Sequence, residues 1–303
     1  MSTPSLDSRV DENQWIWESF RYHSRTFSLA AYLLPTSVQL PVATLYLYCR
    51  RVDSIADQRV LEVGPEQALE EVQAVQDRLD QTLRGSPPQN TVLWRRLAEV
   101  HEQHTLPRAP LYELIEGAVW DLEERPIDTR DDLVSYSNLV GGSVGAMMLP
   151  FLADTDRHDA LEPAARRLGI AMQITNIVRD VGEDIQHLDR VYLPKQWLCE
   201  HDVRVESLEA AQVSNGYPRL VEQAMETAEE FYAESFEGIA ALPFWTRTGI
   251  RAAARMYREI MNEVRANDYD NLNERAFVSL KRKLSLILYD GYERRKERLR
   301  SVN

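Results

Sequence analysis

Three polar side chains in the segment TNIVRDVGEDIQHLDRVYLP (175–194) have a spacing that suits cation binding. Asn176, Asp180 and Asp184 recur at intervals of four residues. On an α-helix, this spacing places their side chains on one face. Like charges so placed weaken an isolated helix by about 0.2–0.5 kcal/mol. The row therefore predicts a function that outweighs this loss of helix stability. Carboxylate and amide oxygens are typical ligands of Mg²⁺.

The simple pattern of two aspartates four residues apart is weak evidence in an acidic chain. It occurs four times, as Asp7/Asp11, Asp53/Asp57, Asp128/Asp132 and Asp180/Asp184. The first pair lies in a polar stretch, which predicts a solvated tail. The third pair follows Pro126, where acidic side chains suit the cap and first turn of a helix.

The pairs Asp53/Asp57 and Asp180/Asp184 differ because they lie in apolar helical segments. Buried carboxylates are costly unless they have partners. One interpretation is internal salt bridges, such as Arg179 with Glu183. The other is two facing helices whose carboxylates bind Mg²⁺, which in turn binds diphosphate. The presence of two such pairs favours the second interpretation.

The overall charge restricts the partners. The net charge of −13, from 35 basic and 48 acidic residues, argues against nucleic-acid binding. An anionic substrate would need bound cations or a local group of basic side chains. Cys49 and Cys199 lie in no Cys/His cluster, which argues against structural zinc. We expect two buried free thiols rather than a disulfide.

The elements that must position these side chains are helices, because hydrophobic residues recur with a helical period almost everywhere. Clear stripes run through 66–83, 220–242, 250–264 and 277–288, with turn signals between segments. We predict one all-α domain over residues 1–303 with roughly ten helices. Pro35 and Pro41 interrupt the most apolar stretch, Leu29 to Cys49, short of a membrane span. The N-terminus lacks a signal-peptide pattern, so we expect a cytoplasmic protein.

Five segments, in order, resemble the squalene/phytoene synthase family. They are YHSRTFSLAAYLLP (22–35), LYLYCRRVDSIAD (45–57), YSNLVGGSVG (136–145), LGIAMQITNIVRDVGEDIQHLDRVYLP (168–194) and MYREIMNEV with NDYDNLNERAFVSLKRK (256–283). The resemblance covers most of the chain. Ser54 stands where many members have a second aspartate, which affects only the fine geometry of metal binding. Gly141-Gly142 replaces the commoner Ala-Gly.

The resemblance implies a helical bundle of the isoprenoid synthase type with a central cavity. It also implies Mg²⁺-dependent head-to-head condensation of two prenyl diphosphates through a cyclopropyl diphosphate. The segments DVGED and RVYLP are most similar to bacterial phytoene synthases, which implies two geranylgeranyl diphosphates and carotenoid biosynthesis. The alternative is a C30 squalene or dehydrosqualene synthase that uses farnesyl diphosphate. Mn²⁺ is an alternative metal, and we expect no NADPH.

The resemblance also assigns roles to individual residues. The implied metal ligands are Asp53, Asp57, Asn176, Asp180 and Asp184, and the implied catalytic residues are the four aspartates with Tyr136 and Arg179. The implied substrate-binding residues are His23, Thr26, Phe27, Tyr46, Arg50, Gln173, Asn176, Tyr257, Arg275 and Lys281, with Lys283 as a further basic candidate. Taken singly, each aromatic is typical of plain core, and the sequence KRK (281–283) is typical of a solvated helix end.

The sequence leaves other classes of function open and predicts some of the partners. A terpene cyclase, a chain-elongating prenyltransferase and a non-catalytic helical assembly factor are alternatives, against which the fourth and fifth segments and the four aspartates argue. Gly141, Gly142 and Gly145 suit either tight helix packing or passage of a prenyl chain. The insoluble product leads us to expect peripheral contact with the inner face of a membrane and hand-over to a downstream carotenoid enzyme. The sequence does not fix an oligomeric state.

Overall fold

The computed structural model describes residues 9–288, and every regular element in that range is helical. The α-helices are α1 (Arg9–His23), α2 (Arg25–Ala31), α3 (Thr36–Ser54), α4 (Val60–Val63), α5 (Pro65–Leu83), α6 (Val92–His104), α7 (Arg108–Leu122), α8 (Arg130–Ser137), α9 (Ser143–Met147), α10 (Leu149–Leu152), α11 (His158–Leu188), α12 (Lys195–Glu200), α13 (Val205–Glu209), α14 (Tyr217–Ala241) and α15 (Phe244–Ala266). Residues 280–288 are also helical. Two π-helices, Ile55–Arg59 and Asn138–Gly142, and a 3₁₀ turn, Thr155–Arg157, complete the order. The all-α prediction is confirmed.

The hydrophobic stripes located the long helices well. α5 follows Gly64, whose φ of 83° ends the preceding helix, and it begins at a proline, which suits a first helical position. α14 and α15 cover the two later stripes. The prediction of roughly ten helices is too low for the described residues, because segments of four to seven residues are too short to develop a periodic pattern.

The longest helix, α11, is the centre of the fold. It packs along α14 and α15 on one side and against the second π-helix and α9 on another. Its buried side chains include Ile170, Ile174, Ile177 and Val181, which belong to the largest hydrophobic cluster. The helix is therefore fixed along its length by apolar contacts. Its remaining face carries Asn176, Asp180 and Asp184.

Glycines allow α11 to approach its neighbours at backbone distance. A Cβ atom on Gly169 would lie 2.0 Å from the carbonyl oxygen of Gly141, and one on Gly145 would lie 2.1 Å from that of Ala165. The tight-packing interpretation of the glycine segment is thus confirmed. Gly141 and Gly145 also line an apolar cavity, described below.

The apolar stretch near the N-terminus forms two helices rather than one. Pro35 is the N-cap of α3 and ends the connection from α2, whereas Pro41 lies inside α3 without ending it. The prediction that both prolines break the stretch is therefore right only for Pro35. No helix among the described residues has the length and hydropathy to cross a bilayer. Both cysteines are free; Cys49 is buried, but Cys199 is exposed, contrary to expectation.

The capping prediction for Asp128/Asp132 is confirmed. The Thr129 hydroxyl accepts a hydrogen bond from the backbone N–H of Asp132, and the Asp132 carboxylate accepts one from the backbone N–H of Thr129. Asp128 forms an exposed ion pair with Lys195 at 2.9 Å. The pair Asp7/Asp11 lies outside the side chains that the structure describes.

Replacing Gly145 by alanine should lower the free energy of unfolding by about 1–3 kcal/mol, because the new methyl group meets the rigid backbone of Ala165. Gly117→Ala, also within a helix, is the matched control. Its methyl group would meet Cγ2 of Val140 at 2.8 Å, a side-chain atom that can move, and alanine gains roughly 0.5–1 kcal/mol of helix preference. Urea denaturation measures both variants. Equal losses would contradict the backbone-contact explanation.

Candidate active site

Both predicted aspartate pairs line a single cavity, which we call the polar chamber. Its volume is about 1060 Å³, at the upper end of the range for ligand pockets. The predicted residues that line it are His23, Arg50, Asp53, Asp57, Tyr136, Gln173, Asn176, Arg179, Asp180, Asp184 and Arg275. Among the described residues, thirteen others also line it, including Asp121 of α7 and Tyr192 in the segment after α11.

The two acidic segments face each other across this chamber. Asp53 lies near the end of α3, and Asp57 lies in the π-helix Ile55–Arg59 that continues it. Burial raises the pKa of Asp57, and Asp180 raises it further, against the opposing effect of Arg50 and Arg190. The pKa of Asp184 is raised by burial, then by Asp180 and by Asp57. The carboxylates of the two segments are therefore within electrostatic reach of each other.

The row on α11 contains members with different partners. The Oδ1 atom of Asn176 is buried and has no hydrogen-bond partner among the described residues. Asp180 is instead engaged by two arginines, since its Oδ1 atom accepts from Nε of Arg179 at 2.7 Å and from Nε of Arg275 at 2.8 Å. Arg275 also lies 3.4 Å from Glu183. The predicted alternative of an Arg179–Glu183 salt bridge is wrong in its partners, although Asp180 does have ion pairs.

The polar chamber has an excess of negative charge. Its lining includes six carboxylates and three arginines, which gives a formal balance of −3. Burial, reinforced by Asp57, raises the pKa of Asp53 to about 8. Burial, reinforced by Asp180, raises the pKa of Asp184 also to about 8. At neutral pH, the chamber therefore retains protons or must bind cations.

The donor set fits hard divalent cations. Asp53 and Asp184 receive no hydrogen bond from the described side chains, and Asn176 offers an unpartnered oxygen. Within residues 9–288, no three His, Cys, Asp or Glu side chains stand close enough to hold one ion. Mg²⁺ commonly takes one or two protein carboxylates and completes its shell with waters and phosphate oxygens.

Arg275 is positioned by a buried asparagine in the segment after α15. Asn271 is buried; its amide donates to the carbonyl oxygen of Val178, and its Oδ1 atom accepts from the Tyr217 hydroxyl at 2.7 Å. The backbone N–H of Gly182 donates to the carbonyl oxygen of Asn271 at 3.2 Å. These contacts fix the segment on α11, so that the Arg275 side chain reaches Asp180.

A buried carboxylate that was not among the residues predicted from the sequence joins two tyrosines. Asp121, on α7, accepts from the Tyr136 hydroxyl at 3.0 Å and from the Tyr192 hydroxyl at 2.9 Å. The two rings stack with centroids 5.1 Å apart. Burial raises the pKa of Asp121 to about 6, although Arg190 and the two tyrosines oppose the shift. A lone aspartate in the apolar segment LIEGAVWDL (114–122) was the signal available in the sequence.

A second, apolar cavity shares part of its wall with the polar chamber. This apolar chamber is lined by Phe27, Tyr46, Gly141, Met172 and Ile250, among other mainly apolar residues, and it shares Asp53, Gln173 and Asn176 with the polar chamber. The apolar chamber therefore suits the tail of a long apolar ligand, and the polar chamber suits its anionic head once cations are bound. Phe27 stacks on Tyr257, with ring centroids 4.8 Å apart.

Three predicted substrate-binding residues line neither chamber. Thr26 accepts a hydrogen bond from Nζ of Lys283 at 2.7 Å, and Tyr257 is buried against Phe27. Lys281 is exposed, whereas Lys283 is buried, and burial, with Arg179 and Arg25, lowers the pKa of Lys283. Of the two lysines, the structure therefore brings Lys283 and not Lys281 near the arginines of the site.

Comparisons with known proteins agree with this geometry. A family profile described as squalene/phytoene synthase matches residues 20–282. The phytoene synthase of Cereibacter sphaeroides is 37% identical over 272 residues, which cover 88% of this chain and 76% of that protein. The phytoene synthase of Thermus thermophilus is 36% identical over 259 residues, which cover 85% of this chain and 85% of that protein. A crystal structure of a ligand-bound dehydrosqualene synthase is 32% identical, with a TM-score of 0.82 over 96% of this chain and 98% of that one.

The raised pKa values predict how stability depends on pH. In the absence of divalent cations, the free energy of unfolding should decrease as pH rises from about 4 to about 8, because the folded protein retains protons on Asp53 and Asp184 that the unfolded chain has released. Mg²⁺ would replace these protons, so its stabilising effect should grow over the same range. Urea denaturation with and without MgCl₂ measures both effects.

A matched pair of variants makes this test specific. Asp184→Asn should reduce both the pH slope and the stabilisation by Mg²⁺. Asp128→Asn, at an exposed carboxylate paired with Lys195, should leave both unchanged. An unaltered Mg²⁺ response in Asp184→Asn would contradict the ligand assignment.

Proposed function

This chain belongs to the squalene/phytoene synthase family and is a prenyltransferase, and we propose that it joins two geranylgeranyl diphosphates head to head to form phytoene in carotenoid biosynthesis. The observation that carries the proposal is the junction of the two chambers at Asp53, Gln173 and Asn176. A prenyl diphosphate has a charged head and a long apolar tail, and the two connected chambers match these parts. We treat residues 1–303 as one catalytic unit, because both halves of the sequence contribute to the junction.

The choice of a C20 substrate rests on the relatives named phytoene synthase, at 36% and 37% identity. A C30 product from farnesyl diphosphate is the second candidate, favoured by the structural similarity to a dehydrosqualene synthase. The two candidates share the chemistry of the polar chamber. They differ only in how much apolar tail the second chamber must accommodate.

We propose that Asp53, Asp57, Asn176 and Asp184 hold Mg²⁺, with Mn²⁺ as an alternative. When bound, the metal supplies Lewis-acid stabilisation of the departing diphosphate. The proposal is supported by the unpartnered Asn176 oxygen, the raised pKa values and the negative balance of the chamber. Without added positive charge, this field would repel a diphosphate.

The arginines supply a second set of positive groups. Arg179 and Arg275 both donate to Asp180, and Arg50 lies 3.9 Å from Asp57. A diphosphate carries more charge than one carboxylate and would compete for these guanidinium groups. We propose that this exchange brings the arginines onto the substrate and frees Asp180 to join the metal ligands.

Tyr136 lines the polar chamber, and its oxygen offers lone pairs there because its hydroxyl hydrogen is donated to Asp121. Each phenol has one donor hydrogen, and Tyr136 and Tyr192 both use theirs on Asp121. The Tyr136 oxygen can therefore stabilise positive charge or accept a proton, but it is poorly placed to donate to a phosphate. Loss of the first diphosphate leaves an allylic cation, and loss of the second, from the cyclopropyl diphosphate, leaves a cyclopropylcarbinyl cation. One proton is released after each ionisation, so two geranylgeranyl diphosphates give phytoene, two diphosphates and two protons. The ring faces of Phe27 and Tyr46, which line the apolar chamber, would add cation–π stabilisation.

The product determines where we expect the enzyme to work. A C40 hydrocarbon has negligible solubility in water, since each buried CH₂ group is worth about 0.8 kcal/mol. We therefore propose peripheral contact with the inner face of a membrane and hand-over to a downstream carotenoid enzyme.

Incubation with Mg²⁺ and either geranylgeranyl or farnesyl diphosphate tests the function directly. We expect phytoene from the C20 substrate, identified by chromatography and mass spectrometry of the extracted hydrocarbon. A C30 hydrocarbon formed from farnesyl diphosphate alone would replace this proposal by the second candidate. Release of a free prenyl alcohol, with no coupled product from either substrate, would contradict both.

Asp121→Asn should lower kcat by about 10²-fold with little change in KM. The two phenols donate to different oxygens of Asp121, and in asparagine an NH₂ group that cannot accept replaces one of them, so Tyr136 would be displaced. Asp121 is thus a positioning residue. Tyr192→Phe is the control, since it leaves Asp121 free to hold Tyr136 and should have a smaller effect. Steady-state kinetics and thermal unfolding are measured together. A loss of kcat that only parallels a loss of thermal stability would contradict the positioning role.

A further inference from the structure

The last described helix, residues 280–288, has apolar residues on two faces, but only one face packs on the protein. Leu286 and Ile287 lie against a small cluster that includes Ala252, Ala253 and Met256. The strip of helix surface next to Ile287 is open to solvent. The residues there, with their exposed fractions, are Phe277 (67%), Leu280 (62%), Leu284 (45%) and Leu288 (75%).

We call these four residues the exposed leucine face. Leu280, Leu284 and Leu288 are four residues apart and so lie in one row along the helix, and Phe277 precedes them by three. The sequence predicts a helical hydrophobic stripe over 277–288, and these four members of it are exposed. Single exposed apolar residues are ordinary, but a row of large ones marks an interaction surface.

The charge of the same segment differs from that of the rest of the chain. Residues 275–288 contain four basic and no acidic residues, in a chain of net charge −13. Arg282 is paired with Glu259 at 2.6 Å, and Lys281 is exposed beside the leucine row. In sequence, residues 289–303 add five basic and three acidic residues. An apolar row flanked by basic residues is the pattern of helices that lie on anionic bilayers.

The exposed leucine face adjoins both chambers. Nζ of Lys283 lies 5.4 Å from the centroid of the Phe277 ring and donates to Thr26. Thr26 precedes Phe27, which lines the apolar chamber, and Arg275, two residues before Phe277, lines the polar chamber. A surface on which this face rested would therefore be next to the substrate site.

We propose that the exposed leucine face docks the protein on an anionic lipid bilayer. A single row of four side chains is too small for a stable protein–protein interface, which needs roughly 1,000 Å² or more. One apolar row with flanking cations is sufficient for an interfacial helix. The inference deepens the peripheral membrane contact proposed above, on which it rests, by naming the surface that would make that contact.

The test is sedimentation of the full chain with vesicles, at low and high salt. We expect binding to vesicles of equimolar phosphatidylcholine and phosphatidylglycerol. Binding should weaken at high salt and with phosphatidylcholine alone, by about fivefold for each cation whose attraction is lost. Leu280→Gln combined with Leu284→Gln, which preserves helix preference, should weaken binding at least about tenfold.

Val205→Gln combined with Val213→Gln is the matched control, since these residues are 39% and 40% exposed and lie outside the leucine face. The control should bind as the unaltered protein does. Equal binding by the leucine variant, or no binding to the anionic vesicles, would overturn the proposal. Light scattering provides a further check. If the leucine variant had a lower molecular mass than the unaltered protein but bound vesicles equally, the face would join copies of the chain, and the docking proposal would be overturned.

Turnover of detergent-dispersed substrate separates this proposal from the reaction. The leucine variant should retain it, and its loss together with unaltered vesicle binding would show that these leucines enclose substrate and would overturn the docking role. A protein that binds vesicles through the leucine face but produces no coupled hydrocarbon would refute the proposed function and leave the docking surface in place.

Discussion

Repulsion among carboxylates in a partly desolvated chamber is the constraint on which the site depends. Six acidic side chains and three arginines line the polar chamber, and burial raises the pKa of Asp53 and Asp184 to about 8. Such an arrangement is unfavourable by itself. It becomes favourable when cations and an anionic ligand enter together, because the cations neutralise the wall and bind the ligand. The same electrostatics that weaken the chamber by itself support the proposal of an anionic ligand accompanied by cations.

The scaffold must hold these charges in place without help from them. α11 does so through its apolar face, which packs on α14 and α15, and through backbone contacts at Gly145 and Gly169. Asn271 fixes the segment that carries Arg275. The π-helix at Ile55–Arg59 carries Asp57, and a second one, at Asn138–Gly142, follows Tyr136. A π-helix widens the turn, so it changes the direction of the side chains it carries relative to a regular α-helix, and such elements are frequent at functional sites.

Polar and apolar functions are separated in space but meet at a few residues. Asp53, Gln173 and Asn176 belong to both chambers, so the point where charge separates in the proposed reaction adjoins the apolar wall. Asp121 completes this boundary by orienting Tyr136 with its oxygen available to a cation. The exposed leucine face continues the apolar character outward, beside Lys283 and Thr26.

The sequence by itself determined the helical class, the positions of the long helices and the two acidic segments, because helical periodicity and fixed spacing are local properties. It also distinguished the capping pair Asp128/Asp132 from the other pairs, since capping depends on adjacent residues. Only the tertiary structure decided which charges meet. Asp121 and Tyr192 are 71 residues apart, and Arg275 and Asp180 are 95 apart, so no local pattern could pair them. The burial of Lys283 rather than Lys281, and the exposure of the leucine row, likewise depend on which face of a helix its distant neighbours cover.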